Sequence, residues 1–91
     1  MIYLIAYDIS ENHIRNKVSE YLAGWGRRVQ KSLFECDLER NELDQVVSYV
    51  QEMIDPSEDR CSVYKICAEC MSYKTVFGRE FEPSLGETIV V

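Results

Sequence analysis

The sequence has one histidine, two prolines and four glycines. Its longest apolar run, Met1 to Tyr7, ends at Asp8 after seven residues. That run has no basic flank and is far too short to span a bilayer, so it reads as a buried strand and not as a signal peptide or membrane anchor. A cytoplasmic location, with no membrane partner, is the expectation. A lone histidine near a helix start reads as a surface residue, so His13 is given no role as a general base. Cys67 and Cys70 make a single CxxC, with no second pair and no His partner, which supplies half of a tetrahedral zinc site. With no helix signal after it, the pair is unlike a thioredoxin motif. Four cysteines (Cys36, Cys61, Cys67, Cys70) suit a disulfide framework only in a secreted chain, so reduced thiols are expected here. There is no internal repeat or low-complexity segment.

Basic excess is also missing. The net charge of −6 argues against loose electrostatic binding of nucleic acid. Its distribution softens the objection. Residues 1–34 carry five bases and three acids, a balance of +2, and residues 35–91 carry five bases and thirteen acids, a balance of −8. The first third is therefore a candidate phosphate-contacting surface on an acidic body.

In its 91 residues the chain holds enough for one domain and not two. A chain this short buries limited apolar surface, and a partner subunit would relieve that limit. Ile2–Tyr7 suits a central strand buried on both faces. Ser10 or Asn12 can cap a helix whose apolar face is Ile14, Val18, Tyr21 and Leu22, stopped by Gly24-Trp25-Gly26. Residues 28–38 are rich in β-branched and aromatic residues and read as two strands with a bend near Ser32. Leu43, Val46, Val47, Val50, Met53 and Ile54 recur at helical period; Asn41 is a cap candidate, and Pro56 ends that helix. Residues 61–67 alternate as a fourth strand, residues 73–77 suggest a fifth, and Thr88 to Val91 a short extra one. The order βαββαβ with additional β is the α+β, ferredoxin-like pattern, an antiparallel sheet with helices on one face. The expected division is a ferredoxin-like domain over residues 1–78 and a C-terminal tail over residues 79–91, with a homodimer burying the free face of the sheet.

Three segments carry a family resemblance: Tyr7-Asp8-Ile9-Ser10, Arg15-Asn16-Lys17-Val18, and the run from Arg28 to Cys36 after a Gly-aromatic-Gly turn. In this order, length and topology they resemble the small protein of CRISPR spacer acquisition, the CRISPR-associated protein two family. Residues 55–59, followed by a strand, are also similar. The resemblance implies a symmetric dimer whose fifth strand and tail pair with the partner protomer. It further implies spacer acquisition together with the larger CRISPR integrase, and magnesium-dependent endonuclease activity on RNA or DNA.

Asp8 is then the candidate catalytic and metal-binding residue. A carboxylate is a hard oxygen ligand suited to Mg²⁺, with Mn²⁺ as an alternative. A two-fold axis past the strand end would pair Asp8 with its symmetry mate, and a cation between them would relieve their repulsion. The competing reading has Asp8 capping the turn into the helix. Arg15, Lys17, Arg28 and Lys31 are the candidate nucleic-acid contacts, against the alternative of solvated surface charge. Tyr7, Ser32 and Phe34 are supporting candidates; packing is the stronger reading for both aromatics, because buried aromatics outnumber base-stacking ones. Two further functions stay open: a non-catalytic scaffold that bridges integrase subunits and holds duplex DNA, and an unrelated ferredoxin-like regulatory domain.

Overall fold

A computed structural model describes residues 1–78 of the chain. Four strands, β1 (Ile2–Asp8), β2 (Arg27–Gln30), β3 (Leu33–Asp37) and β4 (Arg60–Ile66), alternate with α1 (Asn12–Ala23) and α2 (Arg40–Met53), and a short α3 (Ala68–Ser72) follows. The strands form one antiparallel sheet in the order β2-β3-β1-β4. This is the α+β, ferredoxin-like arrangement that the order of hydrophobic periods predicts.

Side-chain parity divides the sheet into two faces. Tyr3, Ile5 and Tyr7 of β1 pair in register with Lys65, Val63 and Cys61 of β4, and Tyr3 and Ile5 also with Cys36 and Phe34 of β3. Tyr3, Ile5, Tyr7, Phe34 and Cys36 form a single core with Val18 and Leu22 of α1 and Val46 and Val50 of α2. The helices meet where the Tyr21 and Tyr49 rings stack at 3.7 Å and 8°. The opposite face carries Ile2, Leu4, Ala6 and Leu33, which are only half-buried. β1 is therefore central in the sheet but not buried on both faces, contrary to the sequence expectation. Its uninterrupted apolar character reflects a second face that no helix among the described residues covers.

Local signals set most element ends. The chain turns at Lys31 and Ser32, so the long β-rich run splits where a bend is expected. A bulge between Arg28 and Gln30 offsets β2 against β3. After α1, the N–H groups of Trp25 and Gly26 both donate to the Leu22 carbonyl, which closes the helix at the Gly-Trp-Gly turn.

The caps are not those expected. The N-cap of α1 is Glu11, with no side-chain cap bond, and the preceding Ser10 donates its hydroxyl to Asp59 at 3.1 Å. The N-cap of α2 is Glu39, whose side chain accepts from the backbone of Glu42 while Glu42 accepts from the N–H of Glu39 at 2.8 Å. Asn41 lies inside the helix.

Residues 73–77 form no strand, which corrects the expected fifth strand. A strand needs a ladder partner, and within the described residues this segment finds none. It is held by Lys74, whose ammonium lies 3.4 Å from a Glu35 carboxylate oxygen. Glu35 projects from the sheet face opposite the helices, so the chain crosses to that face after β4. The expected strand at residues 88–91, like the whole tail of residues 79–91, lies outside the described residues.

Candidate functional site

β1 runs out of the sheet at Asp8 and enters the turn to α1 through the buried Ile9. Beside this end lies the turn between β2 and β3, fixed by two contacts from Tyr7. The Tyr7 N–H donates to the Ser32 carbonyl at 3.1 Å, and its hydroxyl meets the Lys31 carbonyl at 3.5 Å. From the first turn of α1, an Arg15 guanidinium N–H donates to the Ile9 carbonyl at 2.8 Å. These three pieces enclose an open cleft of about 250 Å³ lined by Tyr7, Asp8, Ile9, Arg15, Lys31 and Ser32. Asp8, the carboxylate of the lining, is solvent-exposed, and so is Lys31. Arg15 is half-buried and oriented by its carbonyl contact.

Five of the eight residues singled out from the sequence thus line one cleft: Tyr7, Asp8, Arg15, Lys31 and Ser32. Three do not. Lys17 is exposed on α1. The Arg28 guanidinium sits 5.2 Å from the centre of the Phe34 ring and bonds the Ser19 hydroxyl, so it ties β2 to α1. Phe34 is fully buried, and it stacks on the nearly buried Tyr7 at 6.3 Å and 22°. Packing is therefore what both aromatics do in this chain.

Arg60 is a residue that sequence reading did not single out. It is exposed and directly opposite Asp8 across the β1–β4 ladder. Opposed residues in an antiparallel pair have Cβ atoms about 4.5–5.5 Å apart, so the two side chains leave the ladder from neighbouring positions. Only the register reveals it, since 52 positions separate the two in sequence.

The turn beneath this corner is braced by Asp59. Its carboxylate accepts from the Asp55 N–H at 2.9 Å, the Ser10 N–H at 3.0 Å and the Ser10 hydroxyl at 3.1 Å. The Asp55 and Ser10 donors hold the Asp59 carboxyl below its usual range. This network fixes the exit of β1 against the entry to β4.

A divalent cation needs several hard oxygen donors. Among the described residues no group of three or more His, Cys, Asp or Glu side chains is placed to hold a metal ion. Among the described residues Asp8 is the carboxylate of the cleft. Among the described residues no helix is long and apolar enough to cross a membrane.

Comparison with known proteins gives a consistent result. The family model for CRISPR associated protein Cas2 matches residues 1–74. The chain is 37% identical over 92 residues to CRISPR-associated endoribonuclease Cas2 1 of Chloroflexus aurantiacus, covering 100% of this chain and 99% of that one. It is 31% identical over 68 residues to CRISPR-associated endonuclease Cas2 2 of Thermus thermophilus, covering 75% and 76%. The crystal structure of a hypothetical protein from Thermus thermophilus superposes with a TM-score of 0.78 at 29% identity, covering 91% of this chain and 96% of that one. The crystal structure of Streptococcus pyogenes Cas2 superposes with a TM-score of 0.78 at 23% identity, covering 86% and 100%, and shows the shared fold.

Proposed function

The chain belongs to the CRISPR associated protein Cas2 family, and from that membership we propose that it is a homodimeric nucleic-acid-binding protein of CRISPR adaptation that cleaves RNA or DNA phosphodiesters with Mg²⁺ or Mn²⁺. The observation that carries this reading is the cleft at the end of β1. It gathers a carboxylate, two cations and a hydroxyl from three separate stretches of chain. Relatives named as endoribonuclease and endonuclease support a phosphodiester substrate.

Each lining residue has a physical task. Arg15 and Lys31 draw phosphate into the cleft, Arg15 with a planar fork already oriented by Ile9 and Lys31 as a point charge. The Ser32 hydroxyl donates a hydrogen bond to a phosphate oxygen. Lys17 and Arg60, both exposed, add further positive charge. Such contacts hold a backbone without reading sequence.

Asp8 holds the cation together with the Asp8 of a second copy. Parity supports this pairing, because Asp8 projects on the same sheet face as Ala6 and Leu4, the face that no helix among the described residues covers. A second copy seated on that face brings the two carboxylates toward one axis. When bound, the cation lowers the pKa of water and stabilises charge on the attacked phosphate. The net charge of −6 further supports a basic partner, the larger CRISPR integrase, when duplex DNA is held.

The test is a cleavage assay on RNA and on single- and double-stranded DNA with Mg²⁺ or Mn²⁺. We expect metal-dependent products from the native chain and none from Asp8→Asn. Absence of cleavage by the native chain on every substrate would remove the enzymatic part of the proposal.

A further inference from the structure

We propose that Cys67 and Cys70 are a reversible dithiol–disulfide pair, oxidised by low-molecular-weight disulfides, at the root of the segment that carries Tyr73, Val76 and Phe77. The proposal stands on this pair alone and is independent of the nuclease reading. The four thiols divide sharply by environment. Cys36 is fully buried and Cys61 half-buried, whereas Cys67 and Cys70 are exposed. Burial pushes the Cys36 thiol up to about 11, with Glu35 adding to the shift, and burial also raises Cys61. These two are poor nucleophiles in the folded chain.

The exposed pair is organised. Sequence alone shows no helix after Cys67, yet Cys67 is the N-cap of α3, and the turn of α3 folds Cys70 back onto it. The Cys70 N–H donates to the Cys67 sulfur at 3.4 Å. The backbone N–H of Cys70 and then its thiol hold Cys67 below the usual thiol range. The same contact, with the charge on Cys67, raises Cys70. The N–H contact to the Cys67 sulfur thus marks Cys67 as the attacking group and Cys70 as the resolving one.

The chemistry balances as follows. The Cys67 thiolate attacks one sulfur of a small disulfide and releases one small thiolate, leaving a mixed disulfide on Cys67. Cys70 loses its proton and attacks the Cys67 sulfur, which releases the second small thiolate. The protein gives up two electrons and two protons, and the small disulfide is reduced to two thiols. The new bond closes the first turn of α3. That turn stands between β4 and the Lys74–Glu35 ion pair, which anchors the following residues to the uncovered face of the sheet.

The experiment equilibrates the full chain in mixtures of reduced and oxidised glutathione, quenches in acid, alkylates and measures mass. We expect a species that carries two alkyl groups fewer than the fully reduced chain, with the disulfide mapped to the peptide containing Cys67 and Cys70 and reversed by dithiothreitol. Cys70→Ser should stop at a glutathione adduct on Cys67. In the reduced native chain, limiting iodoacetamide should label Cys67 before the other three cysteines. The Cys70→Ser variant folds under this account, since the thiol is exposed. A bond to Cys36 or Cys61, a link between chains, persistent glutathione adducts on the native chain, or no oxidation would each overturn the proposal.

Discussion

At Gly26 the backbone runs so close to β3 that a Cβ there would lie 2.9 Å from the Cys36 Cα, and nearer still to the Cys36 sulfur and the Glu35 carbonyl. Backbone and a buried side chain cannot both move aside. Gly26→Ala should therefore destabilise the chain by about 1–3 kcal/mol, as overpacked sites do; urea denaturation measures it. Asp59 gives a prediction with a sign in pH. Its folded pKa is lowered, first by the Asp55 N–H and then by Ser10. The stability it contributes is thus present above the unfolded value, about 3.9, and is lost as pH falls through the lower folded one. Asp59→Ala should have a lower urea midpoint than the native chain at neutral pH, and the gap should close in acid. A gap that persisted at the lowest pH would contradict this role for the carboxylate. At this scale the sequence was readable where chemistry is local: Asp8, Arg15, Lys31 and Ser32 do converge on one cleft. Arg60 was not readable, because its closeness to Asp8 is a property of strand register. Nor was the acidity of Asp59, whose donors sit on two turns.

The elements follow from periodicity, and their ends from competition between caps. α1 and α2 are anchored by Val18, Leu22, Val46 and Val50, all at helical spacing and all buried. Leu22→Ala should cost about 2–5 kcal/mol, read as a lowered midpoint. The start of α2 depends on a reciprocal pair of glutamates, Glu39 and Glu42, in place of the usual hydroxyl or Asx cap. Glu42→Ala should destabilise by about 0.5–2 kcal/mol, and Asn41→Ala should have a smaller effect. If Asn41→Ala were the costlier change, the cap assignment would be wrong. Asn41 and Ser10 look like caps in sequence because their residue types favour that position. They lose it because Ser10, bonded to Asp59, sits one residue before the cap and α2 has its own glutamate pair. Residues 73–77 show the complementary failure. Their β-branched and aromatic content suggests a strand, but a strand exists only as one side of a ladder.

For the molecule as a whole, the half-buried Ile2, Leu4, Ala6 and Leu33 and the exposed Tyr64 mark a face that one copy leaves partly open. Tyr73 and Phe77, 77% and 89% exposed, add apolar surface after α3. Asp8 closes the strand whose open side this is. The proposed cation site is shared by two chains. The direct measurement is the Mg²⁺-dependent cleavage rate of native and Asp8→Asn chains co-refolded in varying proportion at constant total protein. If both carboxylates of a dimer are required, half-native mixtures should retain about one quarter of the activity, because only that fraction of random pairs is wholly native. Activity falling in direct proportion to the native fraction, to about one half in the same mixture, would show that each chain carries its own complete site and would contradict the shared one.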